Sequence, residues 1–377
     1  MLKAYKYCLL PTEEQKQQLA KFFGSCRFVF NLGLETKMQA WTTARKHLTY
    51  IDLANQMKEL KDTQAQWLQE CPSQTLQMAL RNLDNAYTQF FKGGGFPKFK
   101  SKHRKQSIQF PQGVKTDFEN CTIFLPKLKN VACVFHRHFK GEIKTVSVSK
   151  TSTGKYFVSI LVENQKELPK KKPVRERTAV GIDMGVKTFA TISDGTTFDN
   201  PKHLRSNLRR LRVEQRKLNR RLKKGAKEQS KSYQKQKLVV AKLHEHIKNQ
   251  RQDYLHKAST NIIRSFDTIC LEDLNIKGMM QNEKLSLAIS EVGWHKFKTM
   301  LEYKAEWYGK NILYIGRFEP SSKLCSHCGH IFKELSLKDR SWTCLSCGTH
   351  HQRDENAANN IKSFGLRNQP ATVNVRH

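Results

Sequence analysis

Two Cys-x2-Cys pairs, Cys325/Cys328 and Cys344/Cys347, stand fifteen residues apart towards the end of a 377-residue chain. That spacing suits a zinc ribbon or knuckle. Each pair is followed by a glycine, Gly329 or Gly348, permitting the tight turn that aims two thiolates at one ion. Four thiolates close a tetrahedral Zn²⁺ and leave no position for water, so one structural zinc is expected, holding a loop and doing no chemistry. His327, His330 and His350 are surplus to that set and read as surface residues. The remaining cysteines, Cys8, Cys26, Cys71, Cys121, Cys133 and Cys270, are scattered, several inside apolar runs, as reduced core thiols are. A reducing, intracellular setting is expected. MLKAYKYCLLPTEEQ has neither a long apolar stretch nor a small-residue cleavage site, and no membrane anchor or span is expected.

Charge narrows the partner. Lys and Arg number 67 against 33 Asp and Glu, a net +34 at neutral pH, and such self-repulsion is best tolerated against a polyanion. Nucleic acid is the partner expected. Hydrophobic residues at 38% can still fill cores, which excludes wholesale disorder, and the length suits two or three domains.

Thr12 and Gln15 form a capping-box pattern ahead of Leu19, Phe22, Phe23, Cys26 and Phe30 at helical spacing. Pro72 and Ser73 open another helix, with Leu76, Leu80, Leu83, Ala86, Tyr87 and Phe90 on one stripe before three glycines end it. From Ile108, β-rich runs take over: CTIFLPKL, VACVFH, then TVSVSK and KYFVSILVE as a hairpin about residues 151–154, predicting a small β-barrel or sheet. KELPKKKPVRER reads as a linker, with a new domain starting near Thr178. Between residues 201 and 251, eighteen Lys or Arg face three Glu, while Leu204, Leu208, Leu211, Leu218 and Leu222 predict a helical hairpin interrupted at Gly225. Solvated helices mix signs to gain i,i+4 pairs, so this excess suits a phosphate-facing surface.

TAVGIDMGVKTFATISDG reads as two strands about a tight Gly185 turn, with Asp183 ending an apolar strand. A lone Asp there is commonly a turn residue, so it needs partners. FDTICLED delivers Glu272 from a second buried strand, and Asp354 lies in HHQRDENAANNI at a helix start. Acids converging inside so basic a protein suit hard cations, Mg²⁺ or Mn²⁺. Two such ions roughly 3.5–4 Å apart activate water and stabilise the leaving oxygen in phosphodiester cleavage.

GIDMGVKTFATISDG, LEDLNIKGM, PSSKLCSHCG and RDENAANNI, in that order, resemble the TnpB family of insertion-sequence endonucleases, whose organisation type V CRISPR effectors share. The likeness runs from SCRFVFNLGL to Ile361 and is strongest from Val180 onward. It implies an α/β multidomain fold: an RNase H-like RuvC nuclease domain with a zinc-ribbon insertion, plus a β-barrel wedge domain carrying a helical recognition insertion. The implied layout is wedge over 1–16 and, with the linker, 96–177; helical recognition over 17–95; nuclease over 178–320; ribbon over 321–349; and final nuclease part with tail over 350–377. On this resemblance Asp183, Glu272 and Asp354 are the catalytic acids that bind two ions, and His351 is a candidate beside the scissile phosphate. Asp194, Asp267 and Asp273 lie near the motifs but off the matching positions.

The resemblance further implies guide RNA and double-stranded target DNA as partners, with the chain a monomer on its RNA, in a prokaryotic cytoplasm and at the nucleoid when on DNA. Base pairing would supply specificity while the protein reads one short motif beside the target. Tyr50, Ser73, Gln77, Gln109 and Gln112 are the candidates for that reading, since Gln and Tyr reach base edges. Two other readings stay open. One is a transposase-type strand-transfer protein, weakened by the lack of a separate helix-turn-helix or tyrosine nucleophile motif. The other is an RNA-guided DNA-binding regulator without cleavage, against which the intact acids stand.

Overall fold

The computed structural model describes residues 1–367 apart from 224, 227 and 337; the last ten residues of the expected final nuclease part and tail, 368–377, lie outside the described residues. The chain divides into two compact units, Met1–Lys166 and Glu167–His377.

The first unit holds seven strands: β1 (Leu2–Leu10), β2 (Gln106–Phe110), β3 (Lys115–Asp117), β4 (Thr122–Leu125), β5 (Lys129–Val134), β6 (Glu142–Lys150) and β7 (Tyr156–Glu163). They form one antiparallel sheet in the order β2-β6-β7-β1-β5-β4-β3, a ladder with two ends. The expected β runs and hairpin are all present. β1, in the middle of the sheet, is not read as a strand in the sequence analysis, although Tyr5, Tyr7 and Leu9 alternate inward as a half-buried strand requires. Three helices accompany the sheet: α1 (Glu13–Ala44), α2 (Tyr50–Asp62) and α3 (Ser73–Phe91). The Thr12 capping box forms, with Gln15 N–H donating to Thr12 Oγ1 at 3.3 Å and Thr12 N–H to Gln15 Oε1 at 3.1 Å. Leu19, Phe22 and Phe30 from α1 share a core with Leu76, Leu80 and Leu83 from α3. Each such side chain contributes about 1.5–3 kcal/mol on burial.

The second unit is built on β8 (Ala179–Asp183), β9 (Thr188–Ile192), β10 (Thr197–Asp199), β11 (Thr268–Glu272) and β12 (Asn311–Ile315), in the order β10-β9-β8-β11-β12. β8, β11 and β12 run parallel, while β9 and β10 meander antiparallel beside β8. Parallel neighbours need crossovers. α4 (His203–Arg221) and α5 (Lys231–Ser265) precede β11; α6 (Ile276–Met279), α7 (Glu283–Val292) and α8 (Trp294–Tyr308) lead to β12. α4 and α5 are the expected basic hairpin, with Leu218, Val240, Leu243 and Ile247 buried. A short ladder, β13 (Ser341–Thr343) and β14 (His350–Gln352), precedes α9 (Arg353–Arg367), the last helix among the described residues.

The lysine-rich linker is docked on this unit. Lys172 N–H donates to Gly309 O at 2.9 Å, Asn311 Nδ2 donates to Lys172 O at 2.8 Å, and Asp267 pairs with Lys172 and Lys310 at 2.9 and 2.6 Å. Its low hydrophobicity is compensated by backbone bonds and ion pairs.

Candidate active site and metal centre

Asp183 ends β8 and Glu272 ends β11, and parallel pairing sets these two ends side by side. α9 supplies the third acid through an unusually close approach to the sheet. A Cβ on Gly181 would lie 2.0 Å from Ala358 O and 2.5 Å from Lys362 N, so only glycine lets the helix rest on the β8 backbone. A Cβ on Gly365 would lie 2.5 Å from Cys270 Sγ of β11. From Ala358 back to Asp354 is one helical turn, about 6 Å, and from Gly181 on to Asp183 is two strand residues, about 6.5 Å, which brings the two acids level.

The three charges oppose one another. Burial first, then the charges of Glu272 and Asp354, push the Asp183 carboxyl up to about 7, against Arg353. Arg340 Nη1 stands 4.0 Å from Asp354 Oδ1, and Ser321 Oγ orients Glu272 by donating to Oε1 at 2.5 Å. Hard oxygen donors with unrelieved negative charge fit divalent Mg²⁺ or Mn²⁺. The off-motif acids have structural occupations. Asp194 accepts the Thr196 N–H at 2.9 Å, Asp267 holds the docked linker, and Asp273 pairs with Lys298 at 3.2 Å and Arg317 at 3.1 Å.

The cysteines converge. Among the described residues their ligand atoms all lie within 4.8 Å of one another, close enough to hold one ion. Two matching turns build the cluster: Cys325 N–H donates to His330 O and Gly329 N–H to Cys325 O, while Cys344 N–H donates to Thr349 O and Gly348 N–H to Cys344 O, at 2.8–2.9 Å. Gly329 and Gly348 have φ of +79° and +70°, the left-handed region that glycine tolerates. Sγ–Sγ separations of 3.7 Å (Cys325–Cys347) and 3.6 Å (Cys328–Cys344) fit the edge of a tetrahedron with Zn–S near 2.3 Å. Bonds from Thr349 hold Cys347 down to about 6. Despite its bond to the His330 backbone, Cys328, exposed at the cluster's edge, is pushed up to about 11 by local desolvation and its neighbouring thiols. Four sulfurs therefore need a cation before all can ionise, which fits zinc.

The structure corrects the expectation for His351. It is buried on β14, packed on Trp342 with ring centroids 4.8 Å apart, and its Nε2 lies 3.0 Å from Cys325 Sγ. That nitrogen is directed at the thiolates and is occupied there, although the residue lies three positions before Asp354. His327, His330 and His350 are exposed, as expected. Sequence reasoning missed Asn356 and Asn360. They lie buried on α9 and bind the ribbon backbone: Asn356 Nδ2 donates to Leu324 O at 2.7 Å, Ser326 N–H to Asn356 Oδ1 at 2.9 Å, and Asn360 Nδ2 to Ser321 O and Leu324 O at 2.7 and 2.6 Å.

The base-reading candidates fall in the first unit. Ser73 and Gln77 are exposed one turn apart on α3, in line with Arg81, whose guanidinium lies 5.3 Å from the Tyr50 ring centroid. Lys61 Nζ donates to Ser73 Oγ at 2.9 Å, and Asn82 Nδ2 to Gln109 Oε1 at 3.0 Å. Gln112 is exposed after β2 and is not tied to this stripe by any bond among the described residues. In the second unit, Lys187, Lys202, Arg205 and Arg340 surround a cavity of about 270 Å³ against the one acid Glu291, which Arg205 already engages at 2.8 Å through its backbone N–H. No described helix is long and apolar enough to cross a membrane.

Three family profiles match: one described as "Probable transposase" over residues 159–283, a Cas12f1-like TNB domain over 294–361, and a "Helix-turn-helix domain" over 1–46. The last runs against the expectation that no separate helix-turn-helix is present, although over those residues the structure has a strand followed by one unbroken helix. A Streptomyces pristinaespiralis protein described as "Putative RNA-guided DNA endonuclease" is 37% identical over 97% of this chain and 89% of its own. InsQ of Escherichia coli K12, described in the same words, is 35% identical over 97% and 92%. TnpB-like protein L770 of Acanthamoeba polyphaga mimivirus is 24% identical over 96% and 73%. Among solved structures, the Cas12f1–sgRNA–target DNA complex shares the fold, with a TM-score of 0.58 and 14% identity over 96% of this chain and 98% of that one. The strand-end acids, the four-cysteine ribbon before the last helix and full-length identity above one third lead to one assignment: the chain belongs to the TnpB family.

Proposed function

We propose that the chain is an RNA-guided DNA endonuclease that binds a transposon-derived guide RNA, recognises a short duplex motif beside its target and hydrolyses target-DNA phosphodiesters at Asp183, Glu272 and Asp354. The observation that carries this reading is the meeting of the three acids where β8 and β11 end under the first turn of α9. These are the first and fourth strands and the final helix of the unit, the places the resemblance gives them. The second unit is accordingly read as an RNase H-like RuvC nuclease domain with a zinc-ribbon insertion, and the first as a wedge sheet carrying α1 to α3 as its recognition insertion. Full-length likeness to relatives described as RNA-guided DNA endonucleases supports guide RNA and target DNA as partners.

Mg²⁺ or Mn²⁺ bound by the three acids would supply an activated water and stabilise the leaving oxygen. The chain's own residues do the positioning. Ser321 fixes the Glu272 carboxylate, the Gly181 contact seats Asp354 over Asp183, and the cationic cavity beside Arg340 suits backbone phosphate. The one zinc is structural.

The test is to sequence RNA that copurifies with the protein, then incubate the complex with a matched plasmid library and Mg²⁺. Cutting beside a fixed short motif by the native protein, and binding without cutting by Asp183→Ala, is the expected result. Absent RNA, or cutting unchanged in the variant, would return the transposase-type reading that the "Probable transposase" match favours. Binding without cutting by the native protein would return the regulator.

A further inference from the structure

Phe318 is 97% exposed and lines a cleft of about 310 Å³ together with Glu272, Asn275 and Arg317. Neither the carboxylate chemistry nor the ribbon core uses it. A single exposed phenyl is ordinary on a protein surface. This one is held in place on both sides. Just before it, Arg317 Nε donates to Asp273 O at 3.2 Å and Nη2 to Asp273 Oδ2 at 3.1 Å. Just after it, Ser321 Oγ donates to Glu272 Oε1 at 2.5 Å, and Ser321 O accepts from Asn360 at 2.7 Å. The turn is thus fastened to Glu272 and Asp273 at the end of β11, and to α9, while the ring between the fastenings stays in water.

We propose that Phe318 is a stacking platform for one unpaired nucleobase of the DNA strand being cut, beside the scissile phosphate. The inference rests on the nuclease reading of the carboxylates. An aromatic face accepts any base, because every base has a π-face, but it needs that face uncovered, and in duplex DNA the neighbouring pairs cover it. Arg317 adds a cationic plane and Asn275 a carboxamide to the same cleft, so the walls suit a base approached by face and edge. The consequence is selectivity for unwound DNA at the cutting step. A stacked base is worth roughly 5- to 150-fold in affinity.

The test uses full-length protein with its copurifying RNA and single-stranded oligodeoxynucleotides in which a segment complementary to that RNA is extended by unpaired nucleotides across the cut, with 2-aminopurine walked through successive unpaired positions. In an Asp183→Ala background, quenching is expected at one position, lost with Phe318→Ala and kept with Phe318→Trp. In the cutting-competent protein, Phe318→Ala should raise KM 5- to 150-fold with kcat far less changed, and Phe318→Trp should restore it. An abasic nucleotide at the quenched position should slow the native protein and leave Phe318→Ala unaffected. Equal quenching with and without the ring, or an abasic effect of the same size in both proteins, would overturn the proposal. Quenching needs no cutting, so a native protein that fails to cleave would overturn the nuclease reading while the stacking measurement still stands or falls by itself.

Discussion

Asp183 is ionised at a cost. Its folded carboxyl sits up near 7, against an ordinary value near 4, so the folded chain holds that proton more tightly than the unfolded one. The stability that goes with the bound proton is fully present below about pH 4 and is lost as the pH rises through about 7. Asp183→Asn should therefore abolish cleavage and yet raise Tm at pH 8 in EDTA, with the gain fading towards pH 4 and shrinking when Mg²⁺ is added. A variant that melts lower than the native protein at pH 8 would show that the carboxylate is satisfied by something else. Gly181→Ala tests the neighbouring contact. Its new methyl meets backbone rather than a flexible side-chain tip, so α9 must move, and cleavage should fall at least tenfold with a lower Tm. Unchanged cleavage would mean that Asp354 does not depend on that seat. The acids were legible in the sequence because each ends an apolar run or opens a helix. Gly181 was not, since what makes it necessary is a helix 177 residues further on.

At the scale of elements, α9 serves two sites. Its first turn carries Asp354, while Asn356 and Asn360 bind the ribbon backbone at Ser321, Leu324 and Ser326. The ribbon's own core is small, comprising Cys325, Leu335, Trp342 and Cys344 with Phe332 alongside, so its order should depend on the zinc. Stripping zinc with a thiol-competent chelator should shift Trp342 fluorescence to the red and lower cleavage even with Mg²⁺ in excess. Asn360→Ala, with zinc retained by metal analysis, should reproduce part of the cleavage loss. It leaves Ser321 O short of a donor, a cost of about 1–3 kcal/mol where that carbonyl is buried, while Leu324 O keeps its bond from Asn356. If chelation moved the fluorescence and left cutting untouched, the ribbon would be independent of the acids. Cysteine spacing announced the ribbon plainly. It gave no hint that His351 belongs to it, because proximity in sequence to Asp354 pointed the other way and only the β13–β14 pairing turns the imidazole towards Cys325. β1 went unread for a different reason: its alternation is clear, but its partners β5 and β7 lie more than 100 residues on.

Across the whole molecule the dominant quantity is charge. A net +34 repels itself, and the hairpin of α4 and α5 concentrates that repulsion on exposed faces. Salt screens repulsion over a Debye length of about 8–10 Å near physiological strength, so the RNA-free chain should melt at higher temperature as KCl rises from about 50 to about 500 mM. Bound RNA reverses the sign. The polyanion neutralises the excess, and each phosphate contact releases counterions, so affinity falls with log salt at a slope near −0.7 per contact on single strands and −0.9 on duplex. The complex should therefore melt highest at low salt and approach the free chain as KCl rises. Two melting series, with and without the copurifying RNA, decide the matter. Opposite salt dependences that converge at high KCl mean that the charge is there for nucleic acid. Parallel curves would mean that the basic helices are merely solvated, leaving the choice of partner to groups other than the lysines and arginines that distinguish this chain.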